Sequence, residues 1–124
     1  MNVVDSSGWL EYFGKGSPGE FFAPAIRNTA ELVVPTVCLY EVFKRLALQR
    51  GEEDALQAIG WMALGQVVDL NQEIALLAAT LSLEHSLPMA DSTILATARL
   101  YDATLWTQDA HFVGLEGVRY RAKK

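Results

Sequence analysis

The apolar positions of the chain alternate between short continuous runs and longer segments with helical spacing. The short runs are rich in β-branched and aromatic residues, a composition typical of buried strands. They predict strands at residues 3–5, 32–34, 67–70 and 104–107, with a further edge strand at 118–120. Pro35 closes the second of these strands.

The longer segments repeat apolar residues three or four positions apart, as one face of an α-helix does. We expect the hydroxyls of Ser6 and Ser7 to cap the first helix and Thr36 to cap the third, because serine and threonine are favoured at that position. The helices are predicted around Trp9, Leu10 and Phe13 and at residues 20–29, 36–50, 52–64, 71–84 and 90–101.

Strands that alternate with helices indicate βαβ units, in which the strands run parallel and helices cover both faces of the sheet. We therefore expect an α/β fold, a three-layer α/β/α sandwich around a mainly parallel sheet of four to five strands. The chain of 124 residues is long enough for one hydrophobic core, and no linker, repeat or low-complexity segment divides it. Residues 1–124 are thus expected to form a single domain.

The composition is that of a globular protein, with 51% hydrophobic and 20% charged residues. No apolar run approaches the roughly 20 residues that span a bilayer, and the chain opens without a charged leader. We expect a cytoplasmic protein that does not associate with membranes. The single cysteine, Cys38, has no partner for an internal disulfide and no neighbours at zinc-ligand spacing, so it is expected to be a small buried residue.

The net charge has the wrong sign for binding nucleic acid by bulk electrostatics. Fifteen acidic residues against ten basic ones give −5. Any activity on nucleic acid must then depend on a metal ion and on local basic patches, and the acidity would equally suit a basic protein partner. The candidate phosphate contacts are Lys44, Arg45, Arg99, Arg119, Arg121, Lys123 and Lys124.

Two aspartates follow predicted strands at the edge where parallel sheets carry their functional crevice. Asp5 ends the first strand, and Asp109 follows the fourth by two residues. Each would also be explained by capping of the helix or turn that comes next. The two explanations stay open at this point.

Two further acidic residues lie on predicted helices. Asp91 projects into the same sector as Ile94 and Leu95, so it faces inward near a helix start, as either a cap or a poised ligand. Glu41 lies opposite the apolar stripe of its helix, where a solvent-facing residue would look the same. That helix nevertheless begins just past the end of the second strand, beside the same crevice.

Four carboxylates in one crevice would repel one another unless a divalent cation offsets their charge. Hard cations such as Mg²⁺, or Mn²⁺ in its place, prefer oxygen ligands of this kind. A site of this type can activate water and stabilise charge on a phosphodiester. Hydrolysis of a nucleic-acid backbone is the reaction that we expect.

Four segments carry a resemblance to the PIN-domain ribonucleases, and among them to the VapC toxins of VapBC toxin–antitoxin modules. The segments are VVDSS at 3–7, YEV at 40–42, LPMADSTILATA at 87–98 and WTQDAHF at 106–112. They occur in order over nearly the whole chain, and the segment at 87–98 is the most specific.

The resemblance implies an acidic quartet of Asp5, Glu41, Asp91 and Asp109 that binds Mg²⁺ and cleaves RNA. Asp5 and Asp91 would be the principal ligands, and Glu41 and Asp109 would complete the site directly or through water. Thr107 and Ser6 would support the ligands by hydrogen bonds, Ser6 by bonding Asp5. Gln108 stands where many relatives carry a basic or amide residue.

The resemblance also implies a homodimer, a VapB-type antitoxin that blocks the site, and cleavage of tRNA, rRNA or mRNA. The alternatives are a housekeeping PIN nuclease acting on RNA or DNA, a catalytically silent PIN binding module, and a receiver-like phosphoacceptor domain. No lysine closes the last strand, which counts against a receiver. His111 could act as a general base, although its position is equally that of a turn residue.

Overall fold

Five parallel strands form the sheet in the computed structural model, which describes residues 1–14 and 17–123. Their order is β3-β2-β1-β4-β5, so the first strand of the chain lies at the centre. The strands are β1 (Asn2–Val4), β2 (Leu32–Pro35), β3 (Gln66–Val68), β4 (Thr104–Thr107) and β5 (Val118–Tyr120). The prediction of a mainly parallel sheet of four to five strands is confirmed.

Helices connect the strands and cover both faces of the sheet. They are α1 (Ser6–Phe13), α2 (Ala23–Arg27), α3 (Thr36–Arg50), α4 (Glu52–Met62), α5 (Gln72–His85) and α6 (Met89–Leu100). Val3 and Val4 point to opposite faces, as do Val33 and Val34, and all four are fully buried. Both faces are therefore covered, which makes the fold the expected three-layer α/β/α sandwich. Within the described ranges, no helix is both long and apolar enough to cross a bilayer.

The predicted helix at 20–29 is wrong in part. A 3₁₀ turn at Ser17–Phe21 and a second one at Thr29–Glu31 flank the short α2 instead. Pro24 explains the difference, because proline lacks an N–H and fits a helix only in its first turn. Helix α2 accordingly begins at Ala23, with Pro24 in that turn.

Two of the predicted helix caps are also wrong. Asp5, and not Ser6 or Ser7, is the N-cap of α1, and its side chain accepts a hydrogen bond from the Gly8 N–H. Pro35 precedes α3 without a side-chain cap, and Thr36 is the first helical residue. The cap of Asp5 is the more consequential finding, because it holds a carboxylate at the carboxyl end of the central strand.

The topology reverses direction at β1, which pairs with β2 on one side and with β4 on the other. In open parallel sheets the crevice at such a switch point is the usual place for a ligand. Asp5 follows β1 and Asp109 follows β4, so these two aspartates flank the crevice.

Gly8 is required for the close approach of α1 to the core, and its replacement by alanine is expected to destabilise the protein. An added Cβ would lie 2.7 Å from both Phe22 Cε1 and Val4 Cγ1, which are buried and cannot retreat. We expect Gly8→Ala to lower the free energy of unfolding by about 1–3 kcal/mol. Gly60→Ala is the matched control, because nothing lies within 4 Å of that position in α4. Gly60→Ala should raise the free energy of unfolding by about 0.5–1 kcal/mol. Urea unfolding of both variants measures the difference, and equal effects would contradict the argument.

Candidate metal centre

A pocket of about 390 Å³ opens at the switch point, and all four predicted acidic residues line it. Asp5 comes from the end of β1, Glu41 from α3, Asp91 from the first turn of α6, and Asp109 from the segment after β4. Residues that are far apart in the sequence therefore converge on one cavity. Among the described residues, no lysine or arginine forms a salt bridge with any of the four.

Asp5 is the most buried of the acids, with 2% of its surface exposed. Its Oδ1 accepts hydrogen bonds from the Gly8 N–H at 2.9 Å and the Ser7 hydroxyl at 2.8 Å, and its Oδ2 accepts one from the Thr107 hydroxyl at 2.7 Å. A carboxylate offers about four acceptor positions. The three donors fix the orientation of the group and leave one lone pair on Oδ2 free for a further ligand.

The surroundings of Asp5 make its charged form less favourable than it is in water. Burial raises the pKa of the Asp5 carboxyl from 3.8 to about 6, even though the hydrogen bonds from Thr107, Gly8 and Ser7 lower it. The charge of Asp109 contributes a smaller increase to this pKa. A raised carboxyl pKa of this kind marks a group whose charge lacks a compensating partner.

Glu41 is oriented by a contact that the sequence analysis assigned differently. The Ser6 hydroxyl was expected to bond Asp5, but it donates instead to Glu41 Oε1 at 2.6 Å, and Ser7 takes the place beside Asp5. The bond joins α1 to α3 across 35 residues of sequence. It directs the Glu41 carboxylate toward α1, so this side chain is not a freely solvated surface charge.

Asp91 and Asp109 meet through the side chain of His111. The His111 Nδ1 lies 2.7 Å from Asp91 Oδ2 and 3.3 Å from Asp109 Oδ1. Burial raises the pKa of Asp91, as do the charges of Asp109 and Glu41, while the hydrogen bond to His111 lowers it. The hydrogen bond that His111 donates to Asp91 raises the pKa of His111 in turn. Asp91 does not act as a helix cap, since α6 begins without a side-chain cap bond.

Asp109 caps a turn and also lines the pocket. Its Oδ1 accepts from the His111 N–H at 2.9 Å and so caps the 3₁₀ turn at Ala110–Phe112, yet the residue also lines the pocket. Its own N–H donates to the Thr107 hydroxyl at 2.9 Å. Thr107 thus connects Asp109 to Asp5, and the end of β4 holds both acids in a fixed relation.

The candidate basic residues differ in where they lie relative to the acidic pocket. Lys44 and Arg45 line the acidic pocket, and Arg45 and Lys123 line an adjoining pocket. Arg119 packs over the Trp106 ring at 4.4 Å and Arg121 over the Phe21 ring at 5.7 Å. Arg99 lies near the amino end of β5, where it donates to the Glu116 carbonyl. Lys124 lies outside the described residues.

The donor set fits a divalent cation. The four carboxylates form no salt bridge with a lysine or arginine of residues 1–14 and 17–123, so they concentrate negative charge, and carboxylate oxygen is the ligand type that Mg²⁺ and Mn²⁺ prefer. Asp91, Asp109 and His111 each present one ligand atom, and these three atoms lie within 4.8 Å of one another. Asp5 keeps an acceptor position free on Oδ2. We conclude that the residues present could hold such an ion.

The chain belongs to the PIN domain family, whose model matches residues 3–117. The match covers strands β2 to β4, helices α1 to α6 and all four acids of the pocket, and it ends just before β5. PIN domains form a family of nucleases, and this membership removes the receiver-like hypothesis. No curated protein matches the chain in sequence.

Several solved structures have the same fold. A toxin–antitoxin complex from Klebsiella pneumoniae contains a chain with a TM-score of 0.80 and 21% identity, and the alignment covers 96% of both chains. VapBC2 from Rickettsia felis, bound to a DNA fragment from its promoter, gives a TM-score of 0.74 with 12% identity over 98% and 97% of the two chains. VapC20 from Mycobacterium tuberculosis, a toxin that cleaves the sarcin–ricin loop, gives 0.69 with 16% identity over 84% and 85%. These similarities establish the fold.

Sequence reasoning missed two side-chain contacts of the site, those of Ser7 with Asp5 and of His111 with Asp91. Ser7 was expected only as a helix cap, although its spacing of two residues from Asp5 is typical of a local side-chain hydrogen bond. The contact of His111 with Asp91 spans 20 residues and two separate elements, so no local pattern indicates it.

Proposed function

We propose that the chain is a divalent-metal-dependent endoribonuclease and the toxin of a type II toxin–antitoxin pair. The observation that carries the proposal is the convergence of Asp5, Glu41, Asp91 and Asp109 on one pocket of a PIN domain. These acids would be the catalytic residues, with Asp5 and Asp91 as the principal ligands of Mg²⁺ or Mn²⁺. Glu41 and Asp109 would complete the set directly or through water.

A bound divalent cation would lower the pKa of a coordinated water molecule and offset the charge of the scissile phosphate. The residues of the chain supply the positioning. Thr107 and Gly8 hold Asp5, Ser6 holds Glu41, and each bond removes rotational freedom before the substrate arrives. Ser6 and Thr107 would therefore act by orienting the ligands.

Lys44 and Arg45 are proposed to contact the RNA backbone beside the acidic pocket. Both line the cavity, and neither forms a salt bridge within the described part of the chain. Their cationic groups would offset phosphate charge locally, as a chain with a net charge of −5 requires. Arg45 also borders the adjoining pocket that contains Lys123, which gives a path for nucleotides flanking the cleaved bond.

The toxin assignment is supported by the folds of the similar structures, which include VapBC complexes from Rickettsia felis and Salmonella typhimurium. On this basis the partner would be a VapB-type antitoxin that blocks the site, and the active form would be a homodimer in the cytoplasm. The substrate would be tRNA, rRNA or mRNA. A housekeeping PIN nuclease would cleave RNA without arresting growth, so growth on expression separates the two assignments.

The direct test is cleavage of total bacterial RNA by the purified, antitoxin-free protein in Mg²⁺. We expect discrete fragments that disappear in EDTA and in an Asp91→Asn variant, and growth arrest on expression that the same variant relieves. Asp102→Asn is the matched control. Asp102 is exposed before the amino end of β4 and does not line the pocket, and asparagine tolerates its φ of 53°. Intact RNA from protein that is folded and metal-loaded would contradict the proposal and favour a silent binding module.

A further inference from the structure

His111 is held against the acidic pocket by the backbone around it. Its N–H donates to Asp109, and the next residue, Phe112, is fully buried and anchors the 3₁₀ turn to the core. The ring itself is largely exposed, with 57% of its side-chain surface accessible, yet it is directed at two carboxylates. The backbone of the 3₁₀ turn, and not burial of the ring, therefore places the His111 Nδ1 beside the two carboxylates.

The distances from the His111 Nδ1 to the two carboxylate oxygens are those expected of neighbouring ligands around one cation. With metal–ligand bonds of about 2.1 Å, two adjacent ligands of an octahedral ion lie about 3 Å apart. The His111 Nδ1 lies 2.7 Å from Asp91 Oδ2 and 3.3 Å from Asp109 Oδ1, on either side of that value. Small rotations of the exposed ring would bring all three atoms onto an ion.

We propose that the His111 Nδ1 is a metal ligand beside Asp91 and Asp109, and that the site consequently binds Mn²⁺ more tightly than Mg²⁺. The inference rests on the proposed function and adds to it a nitrogen ligand and a metal preference. Imidazole nitrogen suits transition metals, whereas Mg²⁺ is bound by oxygen. A site with one nitrogen among carboxylates should therefore discriminate between the two ions more than a site of oxygen alone.

An ion pair alone is the competing explanation for the contact. In that case His111 would balance the charge of Asp91 in the metal-free protein and leave when a cation arrives. The two explanations differ in where the nitrogen is found after metal binding, so they differ in a spectroscopic signature and not only in activity.

The test is pulsed electron paramagnetic resonance of the Mn²⁺-loaded protein, which detects coupling to a directly bound nitrogen. The chain has two histidines, so His85→Ala serves as the control for His111→Ala. We expect the nitrogen coupling in the wild type and in His85→Ala, and its loss in His111→Ala. Calorimetry should show about a tenfold weaker Mn²⁺ affinity in His111→Ala and a smaller change for Mg²⁺.

Three results would overturn the inference, and they separate it from the proposed function. Bound Mn²⁺ without nitrogen coupling in the wild type would exclude His111 as a ligand, and metal-dependent RNA cleavage by the same sample would leave the nuclease assignment intact. Coupling that persists in His111→Ala would assign the nitrogen to another group. Folded wild type that binds no Mn²⁺ would contradict both the inference and the proposed metal centre.

Discussion

Replacing Asp5 by asparagine is expected to remove nearly all RNA cleavage and yet to make the metal-free protein more stable at neutral pH. The ionised carboxylate of the wild type loses hydration when it is buried, and this lowers the stability of the folded state. A buried neutral amide avoids this cost. Asparagine keeps an oxygen to accept from Ser7 and Gly8 but loses the bond from Thr107. We expect a net gain of about 1–2 kcal/mol in the free energy of unfolding, and a fall in cleavage rate of about a hundredfold or more.

The pH dependence identifies the cause of this stabilisation. The folded state raises the pKa of Asp5 from 3.8 to about 6, so the folded protein binds its proton more tightly than the unfolded chain does. The resulting stability is present below about pH 4 and is lost as the pH rises through about 6, up to about 3 kcal/mol in all. The gap between Asp5→Asn and the wild type should therefore widen from about pH 4 to about pH 6 and level off above about pH 7.

Divalent metal should reverse the order of stability between the two proteins. A cation that binds only the folded wild type stabilises it, and Asp5→Asn lacks the ligand that would give it the same gain. Urea unfolding in EDTA and in Mn²⁺ measures which protein is more stable under each condition. The control variant Asp102→Asn should have the same stability as the wild type in both. Asp5→Asn that is less stable than the wild type in EDTA at about pH 8 would contradict the account of Asp5.

Thr107→Val is expected to damage stability and metal binding together. Thr107 is fully buried, and its hydroxyl both donates to Asp5 Oδ2 and accepts from the Asp109 N–H. Valine fills the same volume but leaves the Asp109 N–H without this partner and Asp5 without one of its three donors. We expect a loss of about 2–3 kcal/mol in the free energy of unfolding and a metal affinity about tenfold weaker.

Two control variants separate the effect of losing the Thr107 hydroxyl from other effects of the substitution. Thr107→Ser keeps the hydroxyl and should retain metal affinity near that of the wild type. Thr104→Val makes the same chemical change at an exposed position of β4 and should have little effect on either quantity. Calorimetric titration with Mn²⁺ and urea unfolding provide the measurements. A Thr107→Val protein with wild-type affinity would show that the hydroxyl does not position the acids.

Most of the fold could be predicted from the sequence because its elements have strong local signals. Residues 36–50 form one helix that ends at Arg50 as predicted, and Asn71, a residue type favoured as a cap, precedes α5 and accepts a hydrogen bond from the Ile74 N–H. The predicted strand at 67–70 begins and ends earlier, at Gln66–Val68. A short run of apolar residues indicates that a strand exists more reliably than it indicates its register.

The site was predictable only in the positions of its acids. Asp5 and Asp109 follow strands of a parallel sheet, and that topology brings them to one edge. The partners that orient the acids could not be predicted, because the Ser6–Glu41 and Thr107–Asp5 bonds join residues 35 and 102 positions apart. Such contacts depend on the angle at which helices pack on the sheet, which the pattern of apolar residues does not specify.

Because β1 pairs with β4 at the centre of the sheet, the pocket needs both ends of the described chain. A nascent chain that has emerged from the ribosome only as far as α6 lacks β4, and with it the Thr107 hydroxyl and Asp109. Such a chain carries Asp5, Glu41 and Asp91 without the strand that aligns them. On the proposed function, the nascent chain could not cleave RNA before β4 and Asp109 have been made, so an inhibitor could bind it co-translationally before activity begins.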